Sequence, residues 1–363
     1  MTESERDLNP KDTSNSSKCG SSEAGEKNSK PHTIKKSRNH AIDFAKGALV
    51  LLMVLYHWLN YFVGIEGFVY RYIRFITPSF VFLAGFLATY LMSLPQKSKS
   101  SNPGKRLILR GSKLLLVFTA LNIIVMLIAP NDSYGRSRTL SSFLNNIGSI
   151  YTTGSSSIAA FWVLVPISYT LIIAGAFTNF QDRLRISLTI PTGILFIAAI
   201  VTSILGYKIP MVELLSLGLL GLIVGTALAN RIQNLSSWWW FLMIAYPIHI
   251  VAITNFGAIY ALQLIATCVN LWLLYLIAIK LRPTSSICRM MSLLGQYTLL
   301  GYVSQIALLQ IIHLAFKKVN LGSVEIYVAL FAGLASTIIV IKLTDILRHY
   351  SKAADKIYRL VFT

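Results

Sequence analysis

The sequence predicts an all-α, polytopic integral membrane protein with about ten transmembrane helices and both termini in the cytoplasm. Three observations carry this. The 363-residue chain is 54% hydrophobic and only 13% charged, with a mean hydropathy of +0.61, which is membrane-embedded rather than globular composition. Apolar runs recur along it, each close to the ~20 residues that cross a hydrocarbon core. Finally, the net charge of +19 becomes one-sided once those runs are laid out.

The first forty residues are rich in Ser, Lys, Glu and Asn and nearly without apolar side chains. They are expected to form a disordered cytoplasmic tail. They also put the first apolar core too far from Met1 for a cleaved signal peptide. The membrane domain is expected over 41–345, with spans at about 42–62, 72–94, 107–129, 158–178, 187–205, 211–229, 238–256, 258–279, 293–315 and 325–343. Pro210 divides the fifth from the sixth. The remainder, 346–363, reads as a basic cytoplasmic segment. With the N-terminus inside, the inner segments hold 25 Lys/Arg and the outer ones seven: Arg71, Arg74, Arg136, Arg138, Lys208, Lys317 and Lys318. That asymmetry is the positive-inside pattern. It assigns the cationic charge to membrane topology and excludes a nucleic-acid partner; the lipid bilayer of the cell membrane is the expected environment. Cys19, Cys268 and Cys288 have no disulfide or metal-ligand spacing, so no metal site is expected.

The first span carries the costliest residues. Lys46 and His57 lie eleven positions apart, so at 100° per residue they share one helix face, separated by ~16 Å of rise. Lys46, Val50, Met53 and His57 form one stripe, and Asp43 stands three residues before Lys46, placed to pair with it. Ionisable groups inside a membrane helix need a reason. A structural one is available: Lys46 snorkels to the inner interface and His57 hydrogen-bonds a neighbouring helix. The functional one is sharper. A buried imidazole stays neutral and is fit to act as a base, while Lys46 meets an anion arriving from the cytoplasm. The span between them is roughly the reach of an extended pantetheine arm, which suggests a thioester donor with phosphates at the inner face. Trp58, Tyr61 and Phe62 are expected to mark the outer aromatic belt.

The segment from Asp43 to His57, DFAKGALVLLMVLYH, resembles the opening motif of the transmembrane acyltransferase superfamily. That group includes type-3 acyltransferases, glucan succinyltransferases and the lysosomal heparan acetyltransferase. The pattern has an Asp, a basic residue followed by Gly, and ten residues between the basic residue and a His. Lys46 stands where Arg is commoner. Thr77 to Leu87, TPSFVFLAGFL, is similar to the group's Pro-x-Phe-x-Phe-x-Ser/Ala-Gly-Phe segment. Leu294 to Gln305, LGQYTLLGYVSQ, resembles the late Leu-Gly-x-x-Ser/Thr-Leu-x-x-Tyr-x-x-His segment, with Tyr302 at the Tyr and Gln305 in place of the His. Phe161 to Leu164, FWVL, looks like the mid-chain Trp-x-Leu element. The Glu that often follows that element in type-3 members has no counterpart here.

The resemblance implies an O-acyltransferase moving an acyl group, by default acetyl, from cytoplasmic acyl-CoA as co-substrate to a hydroxyl of an extracytoplasmic glycan or lipid-linked sugar. His57 would be the base or a transient acyl carrier, Lys46 would steer the donor phosphates, and Asp43 would orient Lys46. Secondary candidates are His249, two residues after Pro247 in the seventh span, and Arg74 at the outer start of the second. His313 and the outer loop Pro130–Ser157 are weaker ones. Glu213 suits the N-terminal dipole of the sixth helix, and Trp238, Trp239 and Trp240 suit an interfacial anchor. A transporter or polysaccharide exporter with a Lys46–His57–His249 pathway is the competing reading; inverted repeats with paired broken helices would favour it.

Overall fold

The computed structural model describes residues 39–362 apart from 65–67, 94–101, 129–138, 154–159, 185–188, 229–236, 320–323 and the single positions 208, 238 and 258. The expected tail thus falls almost wholly outside the described residues. So do Trp238 and the loop residues Asn131, Asp132, Tyr134, Arg136 and Arg138. Among the described residues all regular structure is helical. Eight helices are long and apolar enough to cross a membrane, and two shorter apolar helices lie at Leu164–Asn179 and Thr189–Ile204.

Helix α1 (His40–Trp58) starts at Asn39, whose side chain accepts from the N–H groups of Ala41 and Ile42 and so satisfies two otherwise unpaired donors. It continues into a π-helical turn, Leu59–Val63, that stops at Gly64 with φ 100°. The expected second span is broken into α2 (Phe68–Ile73) and α3 (Ile76–Ser93), with a turn at Arg74–Phe75. Pro78 accounts for the break, because in a continuous helix its ring would collide with the carbonyl of Arg74. Then follow α4 (Pro103–Ile128), two short helices α5 (Leu140–Asn145) and α6 (Ile147–Thr152), α7 (Leu164–Leu184), α8 (Thr189–Ile204), α9 (Pro210–Leu228), α10 (Trp239–Phe256) and α11 (Tyr260–Lys280). Part of the segment 130–157, expected as a loop, is therefore helical: Phe143 and Ile150 are buried, and Tyr151 bonds Thr119 of α4. The expected ninth span is preceded by a separate helix, α12 (Ser286–Gln296), and a break at Tyr297 before α13 (Thr298–Val319). Helix α14 (Val324–Tyr350) outruns its apolar stretch, and α15 (Lys352–Phe362) turns off it at Ser351.

Helix α1 packs on α12, α11, α13, α14 and α3. Its most apolar stretch is 61% buried against 22% for α4 and α14 and 17% for α10, so α1 is central and those helices are peripheral. Close crossings make this possible. A Cβ on Gly47 would lie 1.9 Å from the Met291 carbonyl oxygen, and one on Gly295 would lie 1.8 Å from that of Asp43. Absence of side chains there lets the α1 and α12 backbones touch, as small residues do generally between membrane helices. The Gly85 of the second motif meets Gly218 of α9 in the same way, at 2.0 Å.

At the end of α13 that follows α12, Tyr297 donates to Asp345 at 2.6 Å and accepts from Arg348 at 2.9 Å. Arg348 also holds Asp355 of α15 through two nitrogens, at 2.9 and 2.6 Å, and lies 4.0 Å over the ring of Tyr358. Asp355 is shared with Arg359 at 2.8 Å. This clasp fastens α15 to the bundle around a cleft of about 310 Å³.

Gly47→Ala and Gly295→Ala are each expected to cost about 3 kcal/mol or more through overpacking, read as a lowered melting temperature. Gly148→Ala and Gly193→Ala, where a Cβ meets nothing within 4 Å, should not lower it. The clasp should also depend on pH at both ends. The hydrogen bond from Arg348 holds the Asp355 carboxyl below its ordinary value of 3.8, so its contribution is present above that value and is lost as the pH falls beneath it. Burial, then the bond to Asp345, pushes the Tyr297 phenol up to about 12; that contribution is present below the ordinary 10.0 and is lost as the pH rises through 12. A spin-label distance between positions 289 and 356, in a background without the native cysteines, should hold constant from pH 5 to 9 and lengthen beyond both limits. Constancy across the whole range would overturn this.

Candidate functional site

The sequence places His57 in the last turn of α1, and the π-helical turn that follows widens the helix there. Such turns are rare and gather at functional sites. His57 is partly buried. Its Nε2 is fully buried and has no hydrogen-bond partner among the described residues. Aromatic rings surround it: Tyr56 at 5.3 Å in an edge contact, Tyr302 at 6.3 Å and Tyr61 at 6.4 Å between centroids. Tyr302, in turn, touches Phe80 of α3 at 6.4 Å and Phe161 at 6.0 Å. Four segments distant in sequence thus meet around Tyr302, whose ring lies against the imidazole.

Phe161 reaches this cage at a backbone cost. Its φ is 58°, a conformation that bulky side chains rarely adopt and that costs on the order of 1–3 kcal/mol. The FWVL element is accordingly a turn that leads into α7, not part of the helix expected from 158. Asn122 of α4 secures it: its amide donates to the Ala160 carbonyl at 3.0 Å and its oxygen accepts from the Ala160 N–H at 2.8 Å. With both backbone groups of Ala160 clamped, the next residue has little freedom, and its ring, 3% exposed, is directed onto Tyr302.

Gln305 lies one turn beyond Tyr302 on α13 and is fully buried. Neither its amide nitrogen nor its amide oxygen has a partner among the described residues. An unpartnered buried polar group costs ~1–3 kcal/mol, so His57 Nε2 and both polar atoms of Gln305 are an expensive arrangement for a purely structural seam. They can bind polar atoms of a ligand. Arg74 joins the site at one remove. It stands at the turn between α2 and α3, and on α2 the Tyr70 hydroxyl bonds that of Tyr56 at 2.5 Å, next to His57.

At the other end of α1, Lys46 pairs with Asp43 at 2.6 Å. The Lys46 side chain is 16% exposed and that of Asp43 6%, so the expected pair forms and sits at the edge of the α1–α12 crossing. His249 is 3% exposed with Nδ1 unpartnered. It belongs to α10, which packs mainly on α11 and also meets α2, where Tyr72 bonds Thr254 at 2.7 Å.

The outer aromatic belt needs correction. Trp58 is buried and donates to the Ile326 carbonyl at 2.7 Å. Tyr61 accepts from Gln310 at 3.2 Å and lies 6.2 Å from His313, as Phe62 lies 5.2 Å from it. These rings pack inward because the π turn rotates them toward α13. Tyr56, Tyr61, Tyr70, Phe80 and Phe161 were missed as site residues. For Tyr56 and Tyr61 the only sequence signal is the density of aromatics around His57, which reads equally as an interfacial belt; Phe80 and Phe161 lie in the second motif and the FWVL element, which do not show that they meet Tyr302. Trp239 does sit as an interfacial anchor would, half exposed beneath the Lys280 ammonium at 5.6 Å. Among the described residues no group of three His, Cys, Asp or Glu is placed to hold a metal. No family model, curated protein or solved structure matches the chain.

Replacing Gln305 with Leu is expected to raise stability by about 1–2 kcal/mol, because it removes two unpartnered buried atoms at similar volume. Thermal unfolding in detergent reads this. A fall in melting temperature would mean that Gln305 has a structural partner and would remove it from the ligand-binding set.

Proposed function

We propose that the chain is a ten-span O-acyltransferase of the cell membrane with both termini in the cytoplasm. It would move an acyl group, acetyl by default, from cytoplasmic acyl-CoA to a hydroxyl of an extracytoplasmic glycan or lipid-linked sugar. The observation that carries this reading is the buried, unpartnered Nε2 of His57 inside an aromatic cage, on the helix whose other end bears the Lys46–Asp43 pair. The order of the resembling motifs supports it, and so does their packing: the glycines of the first and third meet each other at the α1–α12 crossing.

In the proposed reaction His57 Nε2 takes the proton of the acceptor hydroxyl as that oxygen attacks the thioester carbonyl. The C–S bond then breaks, and the imidazolium returns its proton to the departing CoA sulfur. Tyr302 offers an O–H and Gln305 an N–H, neutral donors suited to the carbonyl oxygen as it gains charge. Lys46 would meet the donor phosphates, with Asp43 holding its side chain between turnovers. Burial of the cage excludes water, which would otherwise compete as acceptor.

Labelled acetyl-CoA separates the possibilities. The purified protein should bind it and transfer label to an added glycan acceptor. His57→Ala should lower transfer about 10²- to 10⁴-fold, the usual share of a general base, while leaving donor binding intact. Lys46→Ala should weaken donor binding about tenfold, near the size of one charge-assisted contact, and Lys46→Arg should restore it. Absence of any CoA binding would sink the enzyme reading.

A further inference from the structure

Helix α15 presents three different edges. Ser351 starts it by accepting from the Ala354 N–H at 3.3 Å, so its direction off α14 is set locally. At 100° per residue, Asp355, Tyr358 and Phe362 fall on one edge. That edge is docked: Tyr358 is buried, its ring is 5.2 Å from Tyr297, and Phe362 stacks on it at 5.1 Å. Next round the helix come Ile357, Leu360 and Val361, exposed at 63, 70 and 36%. The third edge carries Lys352, Lys356 and Arg359, all exposed.

A solvated helix does not need that apolar edge, and a docked one would have buried it. An apolar stripe beside a lysine row is what a helix lying in the plane of a bilayer interface shows, with side chains in the acyl boundary and ammonium groups at the phosphates. The last turns of α14 leading to it are also apolar and exposed, at Ile346, Leu347 and Tyr350, so the apolar surface continues from the membrane-crossing helix. Arg359 is occupied by Asp355, which leaves Lys352 and Lys356 as the cations without a carboxylate partner on this helix.

We infer that α15 is an interfacial helix, clasped to the bundle through Arg348 and Asp355, that binds anionic phospholipid headgroups through Lys352 and Lys356 while Ile357, Leu360 and Val361 enter the leaflet. The partner is a negatively charged lipid surface. Its recognition is independent of acyl transfer. Because α15 is held by Tyr297, two residues from the glycine that touches Asp43, lipid binding would hold the cytoplasmic end of the α1–α12 crossing in place.

The test uses the full chain in nanodiscs of zwitterionic phosphatidylcholine and in nanodiscs containing phosphatidylglycerol, read by amide hydrogen exchange across 352–362. Exchange should slow in the anionic bilayer, by about fivefold for each lysine engaged. Lys352→Gln with Lys356→Gln should abolish the difference, and Ile357→Ser with Leu360→Ser should reduce protection in both bilayers. Exchange in α13 should stay unchanged throughout, which shows that the variants fold. Equal exchange in the two bilayers would overturn the inference, as would a difference that survives removal of both lysines. Equal protection from inorganic phosphate added to the zwitterionic nanodiscs would also overturn it, in favour of a soluble anion.

Discussion

The contact between Gly47 and Gly295 governs the arrangement of this molecule. Each glycine faces a backbone carbonyl of the other helix, Met291 in one direction and Asp43 in the other, at separations that no side chain tolerates. Glycine within a helix is unfavourable by ~0.5–1 kcal/mol relative to alanine, so two such residues are retained only if the approach they permit returns more. In a bilayer that return comes from packing, because burial of apolar surface against another helix gains little over burial against lipid. From this crossing three consequences run. α1 is drawn into the centre of the bundle. Asp43 and Lys46 are brought to its inner rim. Tyr297, two residues beyond Gly295, stands where it receives α15.

A central α1 then determines the character of the His57 region. A polar group on a peripheral helix can turn to lipid headgroups or water; one on a central helix cannot. Among the described residues neither His57 Nε2 nor Gln305 is satisfied, although the rings of Tyr56 and Tyr61 lie against the imidazole. The protein also holds Phe161 at positive φ, clamped by Asn122, to complete the wall of the cage. Unpaired polar atoms at His57 and Gln305 and backbone strain at Phe161, whose ring meets that of His57 through Tyr302, are both unfavourable for stability. The conjunction of these costs around Tyr302, beside the central α1, is the physical basis for placing function at His57 rather than at His249, which is more deeply buried but lies on the peripheral α10.

Much of this was legible in the sequence, and the rest failed for identifiable reasons. Hydropathy located the apolar helices because membrane length is a strong constraint. The eleven-residue spacing of Lys46 and His57 and the Asp43–Lys46 pairing follow from helix geometry alone. Where the reading failed, a residue's tertiary role outweighed its local signal. Pro78 breaks the second span at Arg74, a steric consequence the hydropathy profile hides. Trp58, Tyr61 and Phe62 have belt composition but pack inward, since a π turn has no composition signature. Tyr302 was suggested by its motif, whereas Phe80 and Phe161 join it only through folding. The edges of α15 were also invisible while 346–363 read simply as basic, because the docked Tyr358 and the exposed Ile357 differ only in azimuth.

The group whose motifs this chain resembles has a second imidazole where Gln305 stands, and the difference bears on how a single base would serve the proposed reaction. Two imidazoles in one low-dielectric cage would compete for a proton, and holding both charged would be costly. Gln305 removes that conflict. Its amide donates and accepts hydrogen bonds but takes no proton, so in the proposed chemistry proton transfer falls to His57 alone. One base then has to accept from the acceptor hydroxyl and donate to the leaving sulfur within the same turnover, which requires both atoms within reach of the same Nε2. The rings of Tyr56, Tyr61 and Tyr302, the last backed by Phe80 and Phe161, would favour that arrangement by holding the reacting groups to one edge of the imidazole and limiting the water that would otherwise exchange the proton. The missing carboxylate fits the same logic. A neighbouring Glu would stabilise the imidazolium and slow its return of the proton to the thiolate, and a centre with one imidazole and neutral hydrogen-bonding partners keeps that second step downhill.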